Sequence, residues 1–464
     1  MKKVVLSLIL LVLCLFSATT VLATDGLPAV CPQCNMAVTW QPLSEPASNN
    51  TLTTGHYYVT KDMSGKAWYI DGTVCLHMNG KTVNASNRVF NVNENGTLNL
   101  LGEGNAIGNA YASGSTASGG VVLVNKKATL NLYGPTVKNK GASGRMAKYG
   151  GVISISGGTF NLHSGAVTGG NATYGGTLYA SSGSQINLHG GKVGGGVSTS
   201  NGGCIYLTGS TLNLYNCAVT GGSSNANGGM LYLAEKAEAN LYGGTLSGGV
   251  TKTNGGNIYV KTGASLNIAG TQITGGECGS NGGGIYVGES SRVVMTAGSV
   301  TGGEAGSAGG CIYQYTDAEF EMSGGSVGNG SANSGTSFYV RAGGYVTLSK
   351  TAAIHELRYP SFSEPTFGIR GEYTGSFTLK ANELPDGQVV GSADNADLKK
   401  ANITVGDGSV YLVVLGDKLR LSKLGQIKER TMVSGYCEAC QKTVEWILWP
   451  YGRSRRCRNH EWNG

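Results

Sequence analysis

From residue 104 to residue 234 the chain has no aspartate and no glutamate, and from Gly108 to Lys350 the sole aspartate is Asp317. Hydrolysis of a glycosidic bond needs paired carboxylates converging on it. Calcium-assisted elimination needs an acidic cluster for the cation and a base for the proton. A centre this poor in acids argues against bond-breaking chemistry there. The trio Asp317, Glu319 and Glu321 is close in sequence, but its glutamates alternate with Phe320 and Met322, the pattern of a solvated strand face. Past the first 23 residues no apolar run reaches the ~18–20 residues of a membrane span. Charged residues make up 13%, too few for a disordered polyelectrolyte. Glycine is plentiful, 77 of 464, but lacks the triplet period of collagen. The formal charge is +7, or +5 without Lys2 and Lys3, which gives no reason to expect nucleic acid. Arg453, Arg455, Arg456 and Arg458 are a local cluster, read as a solvated tail.

What the chain has in abundance is repetition. Gly202-Gly203-Cys204-Ile205-Tyr206-Leu207 returns as Gly228-Gly229-Met230-Leu231-Tyr232-Leu233, as Gly255-Gly256-Asn257-Ile258-Tyr259-Val260 and as Gly282-Gly283-Gly284-Ile285-Tyr286-Val287. Its tyrosines are Tyr179, Tyr206, Tyr232, Tyr259, Tyr286, Tyr313 and Tyr339, at steps of 27, 26, 27, 27, 27 and 26 residues. A period in this range signals a solenoid or a propeller. Each unit also carries a Leu212-Asn213-Leu214-Tyr215 piece and a Val219-Thr220-Gly221-Gly222 piece. Alternation of period two with β-branched and aromatic residues means strand, and the Gly-Gly and Ser/Asn joints mean turns. None of these pieces has the length or the 3.6-residue period of a helix. Three strands per ~27 residues fit one coil of a parallel β-helix; a propeller blade needs four strands in ~40–45 residues. The fold expected is therefore all-β, a parallel β-helix solenoid with small Cys-rich end motifs. Ile205, Leu207, Leu212 and Leu214 should face inward, and Tyr206, Asn213 and Tyr215 outward.

Residues 1–23 read as a secretory signal: Lys2 and Lys3, the apolar run Val4 to Phe16, and Val21-Leu22-Ala23 as a cleavage site. The expected divisions are a Cys-x-x-Cys segment and linker over 24–67, the β-helix over 68–350, degenerate last coils over 351–424 and a small module over 425–464. The expected location is outside the cell or on its surface.

Cys31-Pro32-Gln33-Cys34 and Cys437-Glu438-Ala439-Cys440 open the same frame, Cys-x-x-Cys-x-x-x-Val-x-Trp, at the two ends of the chain. In the second copy Cys457 and His460 complete Cys-x2-Cys-x16-Cys-x2-His, good spacing for a structural tetrahedral zinc site. In the first copy His56 and Cys75 are the best-placed partners of Cys31 and Cys34. Disulfides are the alternative in an exported chain, and redox-active pairs a third reading. Cys204 and Cys311 share a repeat slot four coils apart, ~19 Å, beyond disulfide reach, and read as packed small residues.

The seven tyrosines form a strip along one flank. Beside a second column lies the row Asn131, Asn161, Asn187, Asn213, Asn240 and Asn267, with His163 and His189 stacked among Tyr133, Tyr215 and Tyr242. Rings and amides suit an extended polymer such as a glycan, and equally suit a column that only holds coils together.

Through its repeat, its opening Cys-x-x-Cys to Gly55-His56-Tyr57-Tyr58 and its Val74-Cys75-Leu76-His77-Met78-Asn79-Gly80 segment, the chain resembles secreted right-handed parallel β-helix proteins of anaerobic Gram-positive bacteria with the pectate-lyase-like fold. The resemblance covers roughly residues 31–424 and implies fold without activity. The function expected is an adhesin-like surface or matrix protein that binds glycans along its flank. The alternatives are a polysaccharide-active enzyme, for which no lyase or hydrolase residue pattern is present, and a structural spacer.

Overall fold

The computed structural model describes residues 26–43, 50–109, 118–141, 146–361, 366–384 and 386–422, and the backbone of strands Thr431–Cys437 and Lys442–Leu448. The described residues form a parallel β-solenoid of about 12 turns, with no helix among them. Each coil pairs in register with the next, so like sits on like: Tyr179↔Tyr206, Tyr206↔Tyr232, Tyr232↔Tyr259 and Tyr259↔Tyr286. The asparagine row is in register too, Asn131↔Asn161, Asn161↔Asn187 and Asn187↔Asn213.

Inward-facing side chains stack into aliphatic columns. Ile205, Leu207, Leu212, Leu214 and Val219 are each at most 2% exposed, as alternation requires. No single coil could bury so much apolar surface alone; stacking does it. The thiols of Cys204, Cys217 and Cys311 lie in this core as free cysteines. Burial lifts Cys204 to about 11 and Cys217 to about 12, so both behave as small apolar fillers.

A middle coil has a fourth strand that the apolar pattern does not announce. Val197–Asn201, Ser223–Ser224, Val250–Thr251 and Glu277–Cys278 belong to a separate sheet of eight parallel strands. These strands are Ser, Thr and Gly rich, and their one inward column is small: Ala172, Ser198, Ser224, Thr251 and Cys278. The Gly-Gly corner follows. Gly202 takes φ +69, and a Cβ on Gly203 would stand 2.0 Å from the Gly229 carbonyl oxygen. One glycine supplies the left-handed turn and the other lets adjacent coils touch.

The solenoid starts earlier than expected. Strands Gln41–Leu43, Thr51–Leu52, Gly55–Val59 and Met63–Gly65 already pair in parallel with the coil that follows, so much of 41–67 is first coil, not linker. This coil lacks Gly-Gly corners, which hid it. At the other end the coils run through Phe367–Tyr373, Ser376–Ala381 and Asn402–Val405. Lys418–Ser422 then pairs antiparallel with both Val389–Asp397 and Tyr411–Leu415 and covers the last edge. Tyr359, fully buried, ends the strand Ala353–Tyr359; residues 362–365 and the expected signal sequence lie outside the described residues.

Candidate metal centre

The N-terminal segment folds into a tight knuckle. Val30 and Ala37 form an antiparallel bridge; Cys31 N–H donates to Met36 O (2.9 Å) and Asn35 N–H to Cys31 O (2.8 Å). Asn35 takes the left-handed φ of 52° that closes the turn. Trp40 then anchors the knuckle: its Nε1 donates to Pro28 O (2.7 Å), and its ring meets His56 and His77 edge-on at 5.7 Å.

This knuckle lies against the outer face of the first coils. Leu27, Cys31, Trp40, Cys75 and Leu101 make a small apolar cluster of their own. Within it Cys31, Cys34 and His56 bring two thiols and an imidazole nitrogen within 4.8 Å of one another, close enough to hold a metal ion. Cys34 Sγ lies 3.2 Å from His56 Nε2. Burial lowers the His56 pKa, which favours the neutral imidazole, the form that can bind a cation. Burial, then the neighbouring Cys31, raises Cys34. Cys75 borders the trio, packed in one cluster with Cys31 and paired across strands with His56; burial pushes its thiol up to about 12. All these thiols are free, so no disulfide ties the knuckle among the described residues.

The second copy keeps the same backbone plan. Thr431–Cys437 and Lys442–Leu448 pair antiparallel with Tyr436 opposite Thr443, the register of Val30 opposite Ala37. Cys437 ends the first of those strands; Cys440, Cys457 and His460 lie outside the described residues.

The tyrosine strip points away from the aliphatic core, but it is not an open surface. Rings of Tyr206, Tyr232, Tyr259, Tyr286, Tyr313 and Tyr339 stack at 4.7 to 5.4 Å, each face against the next. Tyr232, Tyr286 and Tyr313 are at most 8% exposed, and Tyr179, Tyr206, Tyr259 and Tyr339 are partly buried. The cause is the fourth strand: it meets the Gly-Gly strand at an angle that sets Tyr174 edge-on to Tyr206 and Ala308 against Tyr286 and Tyr313.

The asparagine side is more open. Asn161, Asn187, Asn213, Asn240 and Asn267 are partly exposed. On the same strand face runs the column Tyr133, His163, His189, Tyr215 and Tyr242, stacked at 4.3, 4.8, 4.8 and 5.2 Å. Tyr215 is 41% and Tyr242 49% exposed. The knuckle closes this face at its N-terminal end, where Tyr133 packs against the Leu27–Trp40 cluster.

Sequence reasoning passed over a second amide ladder, Asn201, Asn227, Asn254 and Asn281, at the residue before each Gly-Gly pair. The fixed spacing before the glycines was the available signal. Of the acidic trio, Glu321 (2.8 Å) and Glu319 (3.6 Å) pair with Arg292 across adjacent coils, on exposed side chains, while Asp317 sits in a turn at φ 55°. Among the described residues no helix is long and apolar enough to cross a membrane. No protein-family model, no curated protein and no solved structure matches this chain.

Proposed function

We propose that this protein is an exported, non-catalytic rod of the right-handed pectate-lyase-like kind, whose asparagine face holds an extended polymer such as a glycan. The observation that carries this reading is the repeating amide and aromatic face itself, in which Glu238, hydrogen-bonded to Asn240 (3.0 Å), is a carboxylate on the same strand face. Six amides and five aromatic side chains repeat there once per coil, at the spacing of the strands. Asn161, Asn187 and Asn213 each spend one N–H and one lone pair on their neighbours in the ladder and keep one of each for a ligand, while Asn240 also donates to Glu238. The stacked rings turn edges and hydroxyls outward rather than faces, so the face suits a hydroxyl-rich chain lying along the rod better than a lone flat ligand. Tyr242 ends the column with one ring face free of an aromatic neighbour. The seven-membered tyrosine strip acts chiefly as a spine that stiffens the coils, with its hydroxyl edges as a second, weaker contact line.

Export rests on the composition of residues 1–23 and on the resemblance of the repeat to secreted proteins. The metal of the Cys31, Cys34 and His56 group is zinc on this reading, because borderline-soft zinc takes thiolate and imidazole together. Its role is structural: it fastens the knuckle to the first coils. The second knuckle would hold its own zinc through Cys437, Cys440, Cys457 and His460.

The test is a Tyr215→Ala/Tyr242→Ala variant on a glycan array and on mucin. Both rings are about half exposed, so the fold should survive their loss. Binding should weaken by roughly tenfold or more, on the scale of lost aromatic contacts. Wild-type binding by a folded variant overturns the placement of the ligand on this face. Release of reducing or unsaturated sugars from a polysaccharide panel would favour an enzyme instead.

A further inference from the structure

The outward amides form a hydrogen-bonded chain with a single direction. Asn267 Nδ2 donates to Asn240 Oδ1 (2.7 Å), Asn240 to Asn213 (3.1 Å), Asn213 to Asn187 (2.9 Å) and Asn187 to Asn161 (2.8 Å). Asn161 donates to Asn131 (2.7 Å) and Asn131 to Asn99 (2.7 Å). Every rung gives its proton toward the N-terminal end. The chain does not stop on an amide. Asn99 Nδ2 donates to Cys75 Sγ at 3.3 Å. Cys75 is the cross-strand partner of Asn99, and His56 is the partner of Cys75 on its other side. One column therefore runs from a metal-binding imidazole through a thiol into the asparagine ladder.

We propose that Cys75 is the fourth ligand of the metal held by Cys31, Cys34 and His56, and that Asn99 is the positioning residue that holds its sulfur. This rests on the metal reading of that trio. Tetrahedral closure needs four donors and the trio supplies three. Cys34 and His56 are partly exposed, whereas Cys31 is 0% and Cys75 2% exposed, so on the inner side of the trio a protein donor rather than water is at hand. Cys75 packs in one apolar cluster with Cys31 and is the cross-strand partner of His56, so it borders the trio. A metal-bound thiolate has no proton and only accepts hydrogen bonds. The amide beside it must then present its N–H group, which leaves its oxygen for the next coil, and each later amide follows suit. The direction of the whole ladder is what a thiolate at its head dictates. Hydrogen bonds in such a chain polarise one another, so rungs nearest the sulfur count most.

The experiment uses the full chain loaded with cobalt(II), whose bands report the ligand set, with zinc affinity measured by chelator competition. Because the second knuckle would add three sulfurs of its own, the variants are made in a Cys437→Ser/Cys440→Ser/Cys457→Ser background, which should show thiolate-to-cobalt charge transfer from three sulfurs. Cys75→Ser should lose roughly a third of that intensity, as one of three thiolates goes. Asn99→Leu should weaken zinc binding by about tenfold, the usual scale for an outer hydrogen-bond partner. It should also move the charge-transfer band to lower energy, because a sulfur freed of its hydrogen bond donates more strongly; loss of packing alone would not shift the band. Asn131→Leu should act in the same direction but less, and Asn240→Leu not at all. Circular dichroism of each variant checks the fold. Charge-transfer intensity unchanged in Cys75→Ser, or band and affinity unchanged in Asn99→Leu, overturns the proposal while leaving the trio as a metal site. A background chain that binds neither cobalt nor zinc removes the metal reading itself.

Discussion

Gly203 measures how closely one coil approaches the next. A methyl group there would meet the Gly229 carbonyl oxygen at 2.0 Å, and backbone cannot swing aside as a side chain can. Gly203→Ala should therefore destabilise the solenoid by about 1–3 kcal/mol, the cost of overpacking. Gly209 is the contrast: at φ +50 with nothing within 4 Å of its added Cβ, it should accept asparagine at little cost. Urea midpoints of the two variants check this, and equal midpoints would show that the corner has more slack than its geometry allows. At the same scale, His56 was legible as a partner of Cys31 and Cys34 from sequence alone; Cys75, expected with it, borders that group of three. Asn99 was not legible. Its link to Cys75 appears only when Val74-Cys75-Leu76 is laid over Leu98-Asn99-Leu100, one coil apart. The first coils carry no Gly-Gly pair to fix that alignment.

The tyrosine column behaves as an element of its own. Burial, then the neighbouring rings, lifts Tyr206 to about 12 and raises Tyr232 and Tyr286 further. A phenol whose folded pKa is raised stabilises the fold fully below the unfolded value, about 10, and loses that contribution as pH rises through the folded value. Stability should thus be level up to about pH 10 and fall beyond it, with phenolate absorbance of the column appearing late and together with loss of strand signal. A single ionisation near pH 10 with the fold intact would mean that the rings are open to water. The strands that carry these tyrosines were readable because apolar alternation marks them. The fourth strand was not, because Ser223–Ser224 and its neighbours bury only small polar or minor apolar residues and leave no hydrophobic period. That unseen strand is also why a strip expected to lie open is largely covered.

Over the whole molecule, apolar columns inside, tyrosines along one angle and amides along another give a rod. The knuckle packs on the outer face of the first coils, and the antiparallel strands Tyr411–Leu415 and Lys418–Ser422 cover part of the last. The long sides carry the repeating pattern that a partner could follow. The asparagine face from Asn131 to Asn267 spans five coil steps, ~24 Å, between the knuckle and the Arg292 ion pairs. A face of that kind differs from a pocket in one measurable way: its affinity depends on ligand length. The most direct measurement is titration of the wild-type protein with a size series of the oligosaccharides that an array selects, with soluble products followed in the same samples. Affinity should climb with chain length until the oligomer covers the face, then level off, with no product released. Binding that is already full for a mono- or disaccharide, or cleavage of the longer members, would contradict a non-catalytic rod that holds a polymer along its side.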